Sequence, residues 1–130
     1  MIIADTSAWV DFLRDASAPR NAPLRAAIDE RRLALCEPVH AELMAGLRDH
    51  EVGRMGRELA RYEMIPTIGA DWENAATLKR MAARQGHVIR TLIDCLIAGI
   101  AVRTGATVLH RDRDFERIAA VFPAFDQTRG

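Results

Sequence analysis

Short apolar runs alternate with amphipathic segments along this chain, which predicts strands and helices in turn. Met1-Ile2-Ile3-Ala4, Leu33-Ala34-Leu35-Cys36 and Thr107-Val108-Leu109 are near-continuous apolar or β-branched runs. Such runs mark strands buried on both faces. Met64-Ile65-Pro66 fits a short edge strand, where a proline costs no ladder bond, and Ala124-Phe125-Asp126 a last strand. Between them Trp9, Phe12 and Leu13 recur at i, i+3 and i+4 behind Ser7, a candidate helix cap. Residues 23–31 read as a second helix, and 38–47 as a third with Pro38 in its first turn. Val52, Met55, Leu59 and Tyr62 mark a fourth, and 71–83 a fifth capped by Asp71. The clearest helix follows Thr91, its expected cap. There Ile93, Leu96, Ile97, Ile100 and Ala101 fill the i, i+3, i+4, i+7, i+8 template. Phe115, Ile118 and Ala119 mark a final helix. The expected fold is a three-layer α/β/α sandwich with a mostly parallel central sheet, one domain over residues 1–130. In such folds the site lies at the carboxyl ends of the strands.

Composition narrows this further. The chain has 130 residues, 49% hydrophobic and 28% charged, enough for one domain with its own core. Its 18 basic and 18 acidic residues cancel, which excludes a strongly basic nucleic-acid binder but not a local basic face. Lys79 is the only lysine, so that face would be built of arginine. Apolar stretches such as 95–102 fall far short of the roughly 20 residues that span a bilayer, so no membrane partner is expected. The N-terminus meets Asp5 without a basic region, so no signal peptide is expected either. Cys36 and Cys95 lie in apolar runs and read as reduced core residues of a cytoplasmic protein.

Several carboxylates resist a purely structural reading. Asp5 ends the first strand; it is either a turn or cap residue or a site acid, with Thr6 or Ser7 able to orient it. Asp94 has Ile97, Ala98 and Ala101 as helical neighbours, where a carboxylate is costly unless compensated, although the first helical turn also favours an acid. Glu42 lies beside the apolar stripe of its helix, near Gly46, which removes bulk where a ligand could approach; in isolation it reads as surface. Asp112 and Asp114 follow the Thr107 strand; Asp114 can cap the helix at Phe115, which leaves Asp112 without a structural duty. Two charges about 4 Å apart repel by roughly 4 kcal/mol at an effective dielectric of 20. A cluster of four acids therefore requires a cation or protonation. Oxygen-only ligands suit Mg²⁺ or Mn²⁺ rather than Zn²⁺, and such an ion can activate water against a phosphate.

Four segments taken together resemble a known family. They are Asp-Thr-Ser-Ala-Trp-Val-Asp-Phe-Leu-Arg at 5–14, Glu-Leu-Met-Ala-Gly at 42–46, Asp-Cys-Leu-Ile-Ala at 94–98 and Arg-Asp-Arg-Asp-Phe at 111–115. In this order and spacing the chain resembles the PIN-domain family over its whole length, and within it the VapC-type ribonuclease toxins. The resemblance implies a Mg²⁺- or Mn²⁺-dependent endoribonuclease that leaves a 5′-phosphate and a 3′-hydroxyl. It implies Asp5, Asp94 and Asp112 as metal ligands, with Glu42 joining them in catalysis. Asp114 is the alternative to Asp112, and Thr6 or Ser7 holds the first aspartate. It also implies a homodimer and inhibition by a cognate VapB-like antitoxin that lays a peptide over the groove and reaches the acids with a basic side chain. His110 departs from the Thr or Ser of many relatives, and reads either as a group near the site or phosphate or as a partly exposed strand-end residue.

Arg14, Arg111 and Arg113 are candidate RNA contacts at the rim. Trp9 reads as core rather than a stacking platform. Val39, Leu43, Leu47, Met55 and Leu59 belong either to an antitoxin or dimer surface or to the core. Two other functions compete. A catalytically inactive PIN-like module that binds RNA or protein would need one acid missing, and none is. A receiver-type phosphoryl-transfer domain with Asp5 as acceptor would want a lysine nearby, and Lys79 is remote in sequence from every strand end. Neither GxxxxGK nor GxGxxG occurs.

Overall fold

A computed structural model describes all residues, 1–130. Five strands form one wholly parallel sheet: β1 (Ile2–Ala4), β2 (Leu33–Cys36), β3 (Glu63–Ile65), β4 (Thr107–His110) and β5 (Asp126–Arg129). Their order is β3-β2-β1-β4-β5. β1 pairs with β2 through Ile2 and Leu33, and with β4 through Ala4 and Leu109. All four residues of β2 are buried, and successive side chains point to opposite faces, so helices cover the sheet on both sides.

Seven α-helices surround it: α1 (Thr6–Arg14), α2 (Ala22–Asp29), α3 (Glu37–Ala45), α4 (Val52–Leu59), α5 (Gly69–Arg84), α6 (Leu92–Thr104) and α7 (Arg113–Val121). α6 is buried almost all round and runs through the core, with Leu96, Ile97 and Ile100 fully enclosed. It stops at Gly105, whose φ of 71° is the left-handed cap that glycine adopts without strain. Trp9 is 2% exposed and packs on Phe12 and Tyr62; Val39, Leu43 and Leu59 are equally enclosed. These residues belong to the core. Met55 and Leu47 are half-buried. Both cysteines are buried and free, and burial pushes Cys36 up to about 12 and Cys95 up to about 11.

Several local expectations need correction. The cap of α1 is Asp5, not Ser7, because the Asp5 carboxylate accepts the Ser7 amide. Asp71 does not cap α5; it lies one turn in, fully buried, accepts the Ile68 amide and pairs with the partly exposed Arg103. Asp112, not Asp114, caps α7. The last strand begins at Asp126 rather than 124, and β3 one residue earlier than expected. No helix is long and apolar enough to cross a membrane.

The strand order reverses direction on either side of β1: β2 and β3 build to one side, β4 and β5 to the other. The crevice at the carboxyl ends of β1 and β4 is the switch point of the sheet, where doubly wound folds bind ligands.

Candidate active site

Four carboxylates from four segments converge on that crevice. Asp5 follows β1, Glu42 projects from α3, Asp94 lies in the first turn of α6 and Asp112 follows β4. With Thr6, Ser7, Arg90 and Thr91 they line an open cavity of about 310 Å³ that no apolar side chain enters. Asp5 is 5% exposed and Asp94 9%, whereas Glu42 stands at the rim.

Neighbouring polar groups hold each acid. Ser7 Oγ donates to Asp5 Oδ2 at 2.6 Å and accepts the Arg111 amide at 3.0 Å, so one hydroxyl ties the start of α1 to the segment after β4. Thr6 Oγ1 donates to Glu42 Oε1 at 2.8 Å. The two adjacent hydroxyls thus serve two different acids. Thr91 caps α6, its Oγ1 accepting the Asp94 amide at 3.2 Å, which places Asp94 at the favourable end of the helix dipole. Asp112 Oδ1 accepts the Asp114 amide at 3.0 Å and Arg90 Nη2 at 2.8 Å.

His110 is fully buried and is not the partly exposed histidine that its position suggested. Its Nδ1 accepts the Asp112 amide at 3.1 Å, and its Nε2 meets Gln127 Oε1 at 2.5 Å. That pattern assigns the ring proton to Nε2. The ring lies behind Asp112 and fixes its backbone, and it lines neither cavity of this region.

The acids of the cavity burden one another. Burial pushes Asp94 up to about 7, and the charges of Asp5 and Asp112 add to the effect. Burial also raises Asp5, against the opposing hydrogen bonds from Ser7. Glu42 is raised by burial, with the Thr6 bond opposing and the Asp5 charge adding. Asp114 behaves differently. Burial would raise it, but Arg90 and Arg117 outweigh burial and hold it below the ordinary carboxylate range.

Asp94, Asp112 and Asp114 each offer an oxygen within 4.8 Å of the others. Proximity alone would make Asp114 a ligand, but its oxygens are occupied. Oδ1 accepts Arg117 Nη1 at 2.6 Å, and Oδ2 accepts Arg90 N at 3.2 Å and Nε at 3.0 Å. Asp114 is fully buried and does not line the acid cavity. Asp94 and Asp112 belong both to that cluster and to the cavity, and with Asp5 and Glu42 beside them they are the acids open to a cation. A divalent ion there would offset both the burial that raises Asp94 and the added repulsion from Asp5 and Asp112.

Of the arginines singled out in the sequence, Arg111 and Arg113 border the site, on a second cavity. Arg14 does not. It ends α1 while Asp5 begins it, and it lines neither cavity. Arg90, the residue that sequence reasoning missed, bridges Asp112 and Asp114. Its one sequence signal is its place four residues before Asp94, in a segment without apolar periodicity.

Comparison with known proteins shows the family and the fold. Residues 2–121 match the PIN domain family. Ribonuclease VapC11 of Mycobacterium tuberculosis is 35% identical over 127 residues, covering 93% of each chain. Ribonuclease VapC17 of the same organism is 32% identical over 126 residues, covering 95% of this chain and 90% of that one. Among solved structures, DNA-bound VapBC from Salmonella typhimurium aligns with a TM-score of 0.79 at 19% identity, over 98% of this chain and 96% of its own. FitAcB from Neisseria gonorrhoeae aligns at 0.78 and 20% identity, over 99% and 97%. At those identities the two structures speak for the fold.

Proposed function

The chain belongs to the PIN-domain family, and within it to the VapC ribonucleases, and from that premise we propose that it is a metal-dependent endoribonuclease and the toxin of a toxin–antitoxin pair. The observation that carries the reading is the polar cavity at the switch point of the sheet, into which Asp5, Glu42, Asp94 and Asp112 converge. An inactive binding module would have no use for four acids held at such electrostatic cost.

The all-oxygen donor set fits Mg²⁺, with Mn²⁺ as a substitute. Asp5, Asp94 and Asp112 would hold the ion, which when bound lowers the pKa of water and offsets charge on the phosphate. The chain supplies the rest. Ser7 holds Asp5 in one orientation, and Thr6 does the same for Glu42 Oε1. That leaves Glu42 Oε2 to accept the proton of the attacking water, a role its raised pKa favours. Water adds to phosphorus as Glu42 takes its proton, the bond to the 3′-oxygen breaks, and that oxygen takes up a proton from solvent, giving a 5′-phosphate and a 3′-hydroxyl. No covalent enzyme intermediate is required. Family membership also supports a VapB-like antitoxin as inhibitor and a homodimer as the working form.

The test is end chemistry. RNA cut by the purified protein in Mg²⁺ should carry 5′-phosphates and be left intact in EDTA. Products with 5′-hydroxyl ends, or cleavage that persists in EDTA, would refute the mechanism.

A further inference from the structure

Beside the acid cavity lies a second one of opposite charge. It measures about 470 Å³, and its wall holds five arginines, Arg90, Arg111, Arg113, Arg117 and Arg129, against a single acid, Asp112. The two cavities share Ser7, Arg90 and Asp112 as a common wall. In a chain of zero net charge this is a local concentration of cations, and local fields rather than net charge steer a polyanion.

Four of these arginines are pinned by ion pairs, all but one of them to acids outside the cavity wall. Arg90 pairs with Asp112 and Asp114, Arg111 with Asp11 at 2.6 Å, Arg117 with Asp114 at 2.6 Å, and Arg129 with Glu116 at 2.7 Å. A guanidinium has five N–H donors, and these pairs use only some of them. Arg113 is exposed and makes no side-chain hydrogen bond or ion pair within the chain. The cavity is a set of oriented donors with few acceptors of its own.

We propose that this arginine cavity is the subsite for a phosphodiester of single-stranded RNA adjacent to the one that is cut. The proposal rests on the nuclease reading of the acid cavity. A strand whose scissile phosphate sits among the acids continues on one side across the shared wall of Ser7, Arg90 and Asp112, and its next phosphate enters the arginines. Arginine binds phosphate through paired, charge-assisted N–H donors. No aromatic or apolar side chain lines the cavity, so its contacts with the strand are made chiefly by guanidinium groups on the phosphate. A phosphate held there fixes the register of the strand against the acid cavity.

The test measures binding apart from cleavage, in an Asp94→Asn background. The probe is a short, fluorescein-labelled, random-sequence single-stranded RNA, followed by anisotropy over a range of KCl. Arg113→Gln, Arg129→Gln and their double variant are compared with Arg84→Gln, an exposed arginine of α5 that lines neither cavity. Arg129 gives up only a surface ion pair, so the variants should fold, and thermal melts check this. The double variant should bind roughly tenfold more weakly, and the slope of log K against log salt should fall by about 0.7 per arginine removed. Arg84→Gln should match its parent. Unchanged affinity and slope in the double variant would overturn the proposal and turn attention to an acidic peptide as occupant. Equal losses in Arg84→Gln would overturn it as well. Failure of the nuclease reading would appear elsewhere, as absence of metal-dependent cutting by the unaltered chain.

Discussion

Ser7 Oγ donates to Asp5 Oδ2 at 2.6 Å while the Asp5 carboxylate also accepts the Ser7 amide at 3.1 Å, so a residue in the first turn of the helix holds the acid that caps it. The cap and the proposed metal-holding acid are one residue. Ser7→Ala leaves the cap bond in place and frees the carboxylate to turn. Loss of such an orienting bond typically lowers metal affinity or activity about 10- to 100-fold. We expect that drop in kcat, with a stability change of only about 1 kcal/mol by thermal melt. Wild-type kcat in Ser7→Ala would contradict the orienting role.

Asp112 and Asp114 should separate cleanly. Asn caps helices as well as Asp does, so Asp112→Asn should abolish cleavage and leave the melting temperature nearly unchanged. Asp114→Asn removes the buried charge between Arg90 and Arg117. Both arginines are partly exposed, so the cost is expected at about 1–3 kcal/mol rather than the full value of a buried pair. Cleavage should weaken through loosening of Asp112 rather than vanish. A Tm loss in Asp112→Asn together with a silent Asp114→Asn would reverse these assignments.

The pH dependence of the metal-free protein carries a definite sign. Asp94 is pushed up to about 7 in the folded chain from an ordinary value of 3.8. The folded state therefore binds this proton more tightly than the unfolded state does. Stability from this group is greatest in acid and is lost as pH rises through the window from about 4 to about 7. Asp94→Asn should flatten that part of the profile and raise stability at pH 8, which urea melts across pH would reveal. Divalent-ion affinity should strengthen over the same window as the proton leaves. An identical profile in Asp94→Asn would contradict the electrostatic account.

His110→Phe should keep the packing on Phe115 but leave the Asp112 amide and the Gln127 side chain without their ring partner. An unsatisfied buried polar group costs about 1–3 kcal/mol. A fall in Tm of that order, together with slower cleavage, is the expected result. Unchanged stability would mean that the ring does not secure Asp112.

Much of this was legible in the sequence where burial leaves a trace in composition. β1, β2 and β4 stand out because strands covered on both faces must be apolar throughout, and α6 because a core helix is apolar around most of its surface. β5 is Asp-Gln-Thr-Arg, a largely exposed edge strand with no hydrophobic signature, so its start lay beyond periodicity. Asp5, Glu42, Asp94 and Asp112 could be gathered because each sits at a strand end or beside an apolar helix face. Partners fixed by the tertiary structure could not be read locally: Asp71 with Arg103, 32 positions away, and Asp114 with Arg90, 24 positions away. The sequence places the cap of α7 at Asp114 rather than Asp112 because the two lie two residues apart at the same helix start. Either aspartate can cap a helix in sequence; in the fold the Asp112 carboxylate accepts the Asp114 amide, while Arg90 and Arg117 take up the Asp114 carboxylate.

The most direct measurement is cleavage of a mixed pool of structured RNAs by the purified chain and by Asp94→Asn, each with Mg²⁺, with Mn²⁺ and with EDTA. The account predicts discrete cuts by the unaltered chain in either metal, none in EDTA, and none by Asp94→Asn, which should remain folded. Cuts of equal rate by Asp94→Asn, or cuts that survive EDTA, would contradict an acidic metal site at the switch point of the sheet.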